Sequence, residues 1–301
     1  MKASTICILL ALIIGTGSVS GQLPITNKAA GQCQNKEYAA AEETIARALQ
    51  AEEEMNHPYA WYVSGFIQKE IYKESESGVR NSVRRTKAVS DMEKALTLDA
   101  KGEYSEMIRS ALRYLATTYL NDAILMTREI TRGNDRQPEI VYAEFERIMG
   151  IADPAADLKP YAREFHRKLA QAHYLLWEKD VTQNYHFEQS AGYYKRVLAS
   201  DPGDCEANYN LAILYYNYGV HKIRKIGSTT DMMELIVIQD ECVKLFRQAL
   251  PYAESTFNGC SPRLDYYKAM MFINRALGNE DVHDEYKARS EEMIRSGKLK
   301  K

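Results

Sequence analysis

Proline and glycine are scarce in this 301-residue chain, eight and 16 in all. That scarcity argues against a chain built from many tight turns or from low-complexity linkers. Phenylalanine is scarce too, seven residues against 21 tyrosines, a balance that suits long helices with half-wet aromatic faces. Net charge is almost absent: 39 Lys and Arg against 41 Asp and Glu leave -2. Such a balance offers no bulk attraction to nucleic acid or to an anionic membrane, so no nucleic-acid partner is expected. Beyond the first 22 residues no apolar run is long enough to cross a bilayer; the nearest approach, 235–238, is short and lies in a polar context. A glycine-rich phosphate-cradling loop is also missing. What remains is 45% hydrophobic content, enough for a sizeable core.

The N-terminus reads differently from the rest. Lys2 precedes the apolar run Ile6 to Ile14, then the small residues Gly15 to Gly21, the pattern of a secretory signal peptide over 1–21. The apolar run is about half the roughly 20 residues needed to span a membrane. Export to the periplasm, cell surface or medium is therefore expected, with no membrane span after signal removal. Residues 22–36 contain Pro24 and no helical period, so a flexible lead-in is expected there, and 296–301 reads as a basic tail. Cys7 leaves with the signal, and Cys33, Cys205, Cys242 and Cys260 remain in a compartment that permits disulfides. Cys242 takes an inward small-residue position and reads as a packed free thiol. Cys205 and Cys260 each stand just before a helix, on one edge of adjacent helix pairs, so a bridge between them is open if their Cα atoms come within about 7 Å.

Between 37 and 295 the apolar residues recur at spacings of three and four. The first helix carries Tyr38, Ala41, Ile45, Ala48 and Leu49 on one face; later pairs close at Asp99, Asp153-Pro154 and Asp201-Pro202. The sharpest pattern is 207–219, where Leu211, Ala212 and Tyr215 are followed by Cys242, Phe246 and Ala249 on the partner helix. Small residues let two helices approach; Leu, Tyr and Phe fill the groove that the next pair covers. Earlier, Trp61 and Gly65 keep two places of the same spacing.

These residues resemble the tetratricopeptide repeat, with helices longer than its usual 34-residue period provides. The resemblance implies an all-α, right-handed α-solenoid of about four to five helix pairs over 37–295. The charged helix 281–294 would cap its open end. It also implies a concave face, made mainly of the first helix of each pair, that holds a peptide, helix or protein. Candidate contacts on that face are Tyr62, Gln68, Arg113, Thr117, Asn121, Tyr174, Asn208 and Asn217, since amides, guanidinium groups and phenols bond or pack on a peptide backbone. Tyr215 is assigned to packing, where the repeat itself uses Tyr.

No constellation points to catalysis. His166 and His173 share a helical face, with His186 not far along the sequence, but zinc wants three or four converging ligands and His173 stands where the repeat places a packing Tyr. No metal or other cofactor is expected. Glu52, Glu53 and Glu54 read as a solvated run at a helix end, and no cysteine has a base beside it in sequence. The expectation is a non-enzymatic exported scaffold for a protein or peptide partner. The alternative is an accessory module that holds a glycan or small ligand in a superhelical pocket.

Overall fold

The computed structural model describes residues 23–298. The expected signal peptide and the last three residues of the basic tail lie outside the described residues. Twelve α-helices and no strand are found among the described residues. They are α1 (Pro24–Gln34), α2 (Tyr38–Ala48), α3 (Pro58–Ile71), α4 (Val83–Leu98), α5 (Ser105–Met126), α6 (Gln137–Ala152), α7 (Lys159–Lys179), α8 (Asn184–Ser200), α9 (Cys205–Arg224), α10 (Met232–Gly259), α11 (Leu264–Ala276) and α12 (Glu280–Arg295). The chain divides within α5 into two compact units, one ending at Leu115 and the other starting at Ala116.

In the N-terminal unit, the segment expected to be a flexible lead-in is helix α1. Pro24 occupies its first turn, where a missing N–H costs nothing, and Thr26, Ala29 and Cys33 form its buried stripe. The free N–H groups of the first turn are met by Glu54: its carboxylate accepts from the backbone of Ile25 at 3.0 Å and Thr26 at 2.8 Å, and from the Thr26 hydroxyl at 2.6 Å. Glu54 is only 2% exposed, so it does not belong to the solvated run that Glu52 and Glu53 suggest. α3 and α4 then pack tightly because α3 carries Gly65: a Cβ there would stand 3.0 Å from the Ala88 carbonyl oxygen. Ser64 donates to Asp91 across the same pair at 2.6 Å. α3 runs on into a π-helical turn, Tyr72–Glu76.

In the C-terminal unit the pairs α7/α8, α9/α10 and α11/α12 stack in chain order, each packing on the next. The all-α class is as expected, and this unit has the expected stack of helix pairs. Leu211, Ala212, Tyr215, Phe246 and Ala249 are all buried between α9 and α10. Gly219, within α9, lies directly under the Phe246 ring, where a Cβ would fall 2.5 Å from Cε1. Trp177 is fully buried and joins α7 to α8 and α9, its ring 5.8 Å from Phe187 and 5.3 Å from His221. α12 buries only His283 and Ser290, as a polar terminal helix should. Cys205 and Cys260 are bonded, their Cα atoms 5.9 Å apart, which ties the start of α9 to the end of α10. Cys33 and Cys242 are free and buried; the Cys242 thiol points at the Gly219 carbonyl, 3.4 Å away.

Candidate binding face on α7, α9 and α11

The apolar stripe of each helix dictates what the opposite side offers. On α9 the buried set is Ala207, Asn208, Leu211, Ala212, Leu214, Tyr215 and Gly219. Helical spacing therefore leaves Tyr209, Asn210, Ile213, Tyr216 and Asn217 half-exposed together on another face. α7 buries Phe165, Leu169, Ala170, His173 and Trp177 and turns Arg167, Gln171 and Tyr174 outward. Where α7, α9 and the start of α11 converge they enclose an open recess of about 620 Å³, with Arg167, Gln171, Tyr209, Asn210, Arg263 and Tyr266 among its lining.

The recess is polar with an aromatic wall. Arg167 is held by three carboxylates: Glu164 at 2.7 Å, Glu206 at 3.0 Å and Asp204 at 3.7 Å. Its Nε is buried and has no hydrogen-bond partner among the described residues. Tyr209 and Tyr266 meet with ring centroids 5.4 Å apart, and the Arg263 guanidinium lies 5.3 Å over the Tyr266 ring. Further along the same face Tyr216 stacks on Phe272 at 6.4 Å. Burial raises the Tyr209 phenol, and burial with a Glu178 acceptor raises that of Tyr174, so both stay neutral donors at physiological pH. Phenols, amides and a tethered guanidinium on a shallow aromatic surface suit the alternating carbonyl and N–H groups of a polypeptide.

Two sequence-predicted residues meet on this face: the Asn217 amide donates to the Tyr174 hydroxyl at 2.9 Å. Asn208 does not join them. It is 3% exposed, and its amide donates to the carbonyls of Pro202 at 2.9 Å and Asp204 at 3.1 Å, fastening the turn that enters α9. Tyr215 packs in the core against Phe187 and Tyr252. In the N-terminal unit Tyr62 is buried between Tyr59 and Phe66, not offered to a partner. Gln68 is also buried, giving its N–H to Glu42 at 2.8 Å and accepting from Arg84 at 3.0 Å. Arg113 pairs with Glu106 on its own helix. Thr117 and Asn121 are exposed on α5 and do not line the recess.

Sequence reasoning missed Arg167, Gln171, Tyr209, Asn210, Arg263 and Tyr266. For the first four the signal was available: they are the half-polar positions left over once the apolar stripes of α7 and α9 are drawn. Arg263 and Tyr266 required knowing how α11 docks beside α9.

His173 and His186 are buried side by side, their Nδ1 atoms 3.0 Å apart, so one neutral ring donates to the other. Burial, then the neighbouring His186, lowers His173 to about 4, and burial also lowers His166 and His186. The His166 ring stacks on Tyr193, 5.9 Å away, as the His173 ring does at 5.6 Å. Among the described residues no three or more His, Cys, Asp or Glu side chains group as metal ligands, and no helix is long and apolar enough to cross a membrane.

No protein-family model matches the chain, and no curated protein does. Among solved structures the chain is similar to PilW, a type IV pilus biogenesis factor, at 17% identity and a TM-score of 0.29, covering 88% of this chain and 90% of that one. It is similar to PilF of Pseudomonas aeruginosa at 12% identity and a TM-score of 0.29, covering 89% and 90%. A monomeric mutant of IFIT1 with Gppp-AAAA follows at 12% identity and a TM-score of 0.36, covering 88% of this chain and 49% of that one. Likeness at this level carries no partner or activity across to this chain.

Proposed function

We propose that this chain is an exported, non-enzymatic scaffold that holds a protein or peptide partner on the face formed by α7, α9 and α11. The observation that supports the reading is the open polar recess of about 620 Å³, with its wall of paired tyrosines and amides. Its surroundings have the traits of a polypeptide groove: the aromatic strip continues past the recess to Tyr216 and Phe272, longer than a small ligand needs. No nucleic-acid partner is included, in keeping with the nearly balanced charge.

The test begins with affinity capture from a cell-envelope extract, followed by calorimetry of the purified partner. Tyr209→Ala combined with Arg167→Ala should weaken binding at least tenfold, because a tyrosine and an arginine in one desolvated patch are typical dominant contacts. A partner bound equally well by this variant would move the site elsewhere. A melting-temperature rise with glycans, and none with any captured polypeptide, would favour a small-ligand module instead.

A further inference from the structure

α10 is longer than the helix it packs on, 28 residues against 20 for α9. The register is fixed at three points: Lys222 pairs with Glu241 at 2.7 Å, the Cys242 thiol faces the Gly219 carbonyl, and Phe246 covers Gly219. Antiparallel pairing then brings the last residue of α9, Arg224, alongside residues near Gln239 of α10. The first seven residues of α10, Met232 to Ile238, project beyond the end of their partner.

Six of those seven are apolar; Glu234 is the exception. Leu235 and Ile238 are half-buried. Met232 is 71% exposed, Met233 72%, Ile236 46% and Val237 54%, with Ile223 at 46% on the adjoining end of α9. Spacings of one, three and four put the α10 residues on a single outer stripe. A helical segment apolar on both sides is a segment that folds to be covered on both sides. The exposed stripe is on the order of 450 Å², within the size range of functional patches on monomers.

The charges around the stripe indicate what covers it. Exposed Arg224 and Lys225 end α9, and exposed Asp231, Glu234 and Asp240 surround the apolar side chains. An anionic lipid surface would repel the acidic members, which outnumber the basic ones. A second copy of the same patch, brought up across a two-fold axis, instead offers acids and bases to each other while the methionines meet. Two such stripes bury about 900 Å² of apolar surface, and a polar rim raises this toward the roughly 1,200 Å² at the low end of specific interfaces. We propose that two copies of the chain associate through the first two turns of α10, as a symmetric dimer with a dissociation constant on the order of micromolar.

Sedimentation equilibrium of the purified chain between about 1 and 200 µM tests this independently of any partner on α7, α9 and α11. The expected result is a monomer–dimer equilibrium, shifted at least tenfold toward monomer by Met232→Glu with Ile236→Glu. Helix content and melting temperature should stay unchanged in dilute solution, where the stripe is already solvated. Should that pair of charges disturb folding, Met233→Ser alone should still weaken the dimer by several-fold. A chain that stays monomeric to 200 µM, or a dimer indifferent to these substitutions, would overturn the proposal. So would a monomer whose stripe instead binds vesicles of mixed neutral and anionic lipid.

Discussion

Gly219→Ala isolates the close packing on which the helix pairs depend. Built onto the backbone, the new Cβ would lie 2.5 Å from Phe246 Cε1, 2.8 Å from Cζ and 3.2 Å from Cδ1. Carbon atoms prefer about 3.5–4.0 Å, so the ring or the helices must part by roughly 1 Å. Phe246 cannot swing aside, being 2% exposed and tilted against Tyr216 at 5.6 Å. Overpacking of this kind costs about 1–3 kcal/mol, while Gly to Ala inside a helix returns about 1 kcal/mol. The net expectation runs from near neutral to a loss of about 2 kcal/mol, the latter roughly 4–8 °C in melting temperature for a unit of this size. Gly192→Ala is the matched control: it lies within α8 with nothing near the added Cβ, so it should gain about 0.5–1 kcal/mol. Urea unfolding followed by circular dichroism reads both. A Gly219→Ala protein that gains as much stability as the Gly192→Ala protein would refute the close-contact argument.

Three further perturbations follow from the same geometry. Reducing the Cys205–Cys260 bond, or replacing Cys205 with Ser, releases a crosslink spanning 55 residues, a loss of up to about 4 kcal/mol by loop-closure entropy; thermal unfolding with and without reductant should show it, and the variant should no longer respond to reductant. His173 is held at about 4 when folded against an ordinary 6.5, so the unfolded chain binds the extra proton first: its contribution is whole above pH 6.5 and is lost as pH falls toward 4. That amounts to about 3 kcal/mol, and His173→Phe should flatten this part of the pH–stability curve; an unchanged slope would remove His173 from the account. Glu54→Ala strips the α1 start of its acceptor and should cost about 1–3 kcal/mol, with faster amide exchange at Ile25 and Thr26 as the local readout.

Much of the fold was legible because its signals are local. Leu211, Ala212 and Tyr215 recur within two turns, and the helix that answers them carries Phe246 and Ala249 at its own helical spacing. Helix α1 was not legible, because the carboxylate that stabilises its first turn comes from Glu54, 28 residues on from Thr26. The binding face was read in part for the same reason. Tyr174 and Asn217 stand at outward positions of their helices, which spacing predicts. Asn208 looked like an amide offered to a partner, but its acceptors are carbonyls of the preceding turn, and no side-chain pattern announces them. Gln68 was likewise drawn inward by Glu42, 26 residues earlier, and Arg84, 16 residues later.

The most direct test of the central claim is site-specific photocrosslinking in the cell. A benzophenone side chain at Ile213, half-exposed on the α9 face beside Tyr209 and Tyr216, is compared with one at Glu188, exposed on α8. Mass spectrometry of the adducts should find one polypeptide partner joined at 213 and none at 188. Crosslinks at 188 alone, or equally at both positions, would contradict the assignment of binding to α7, α9 and α11.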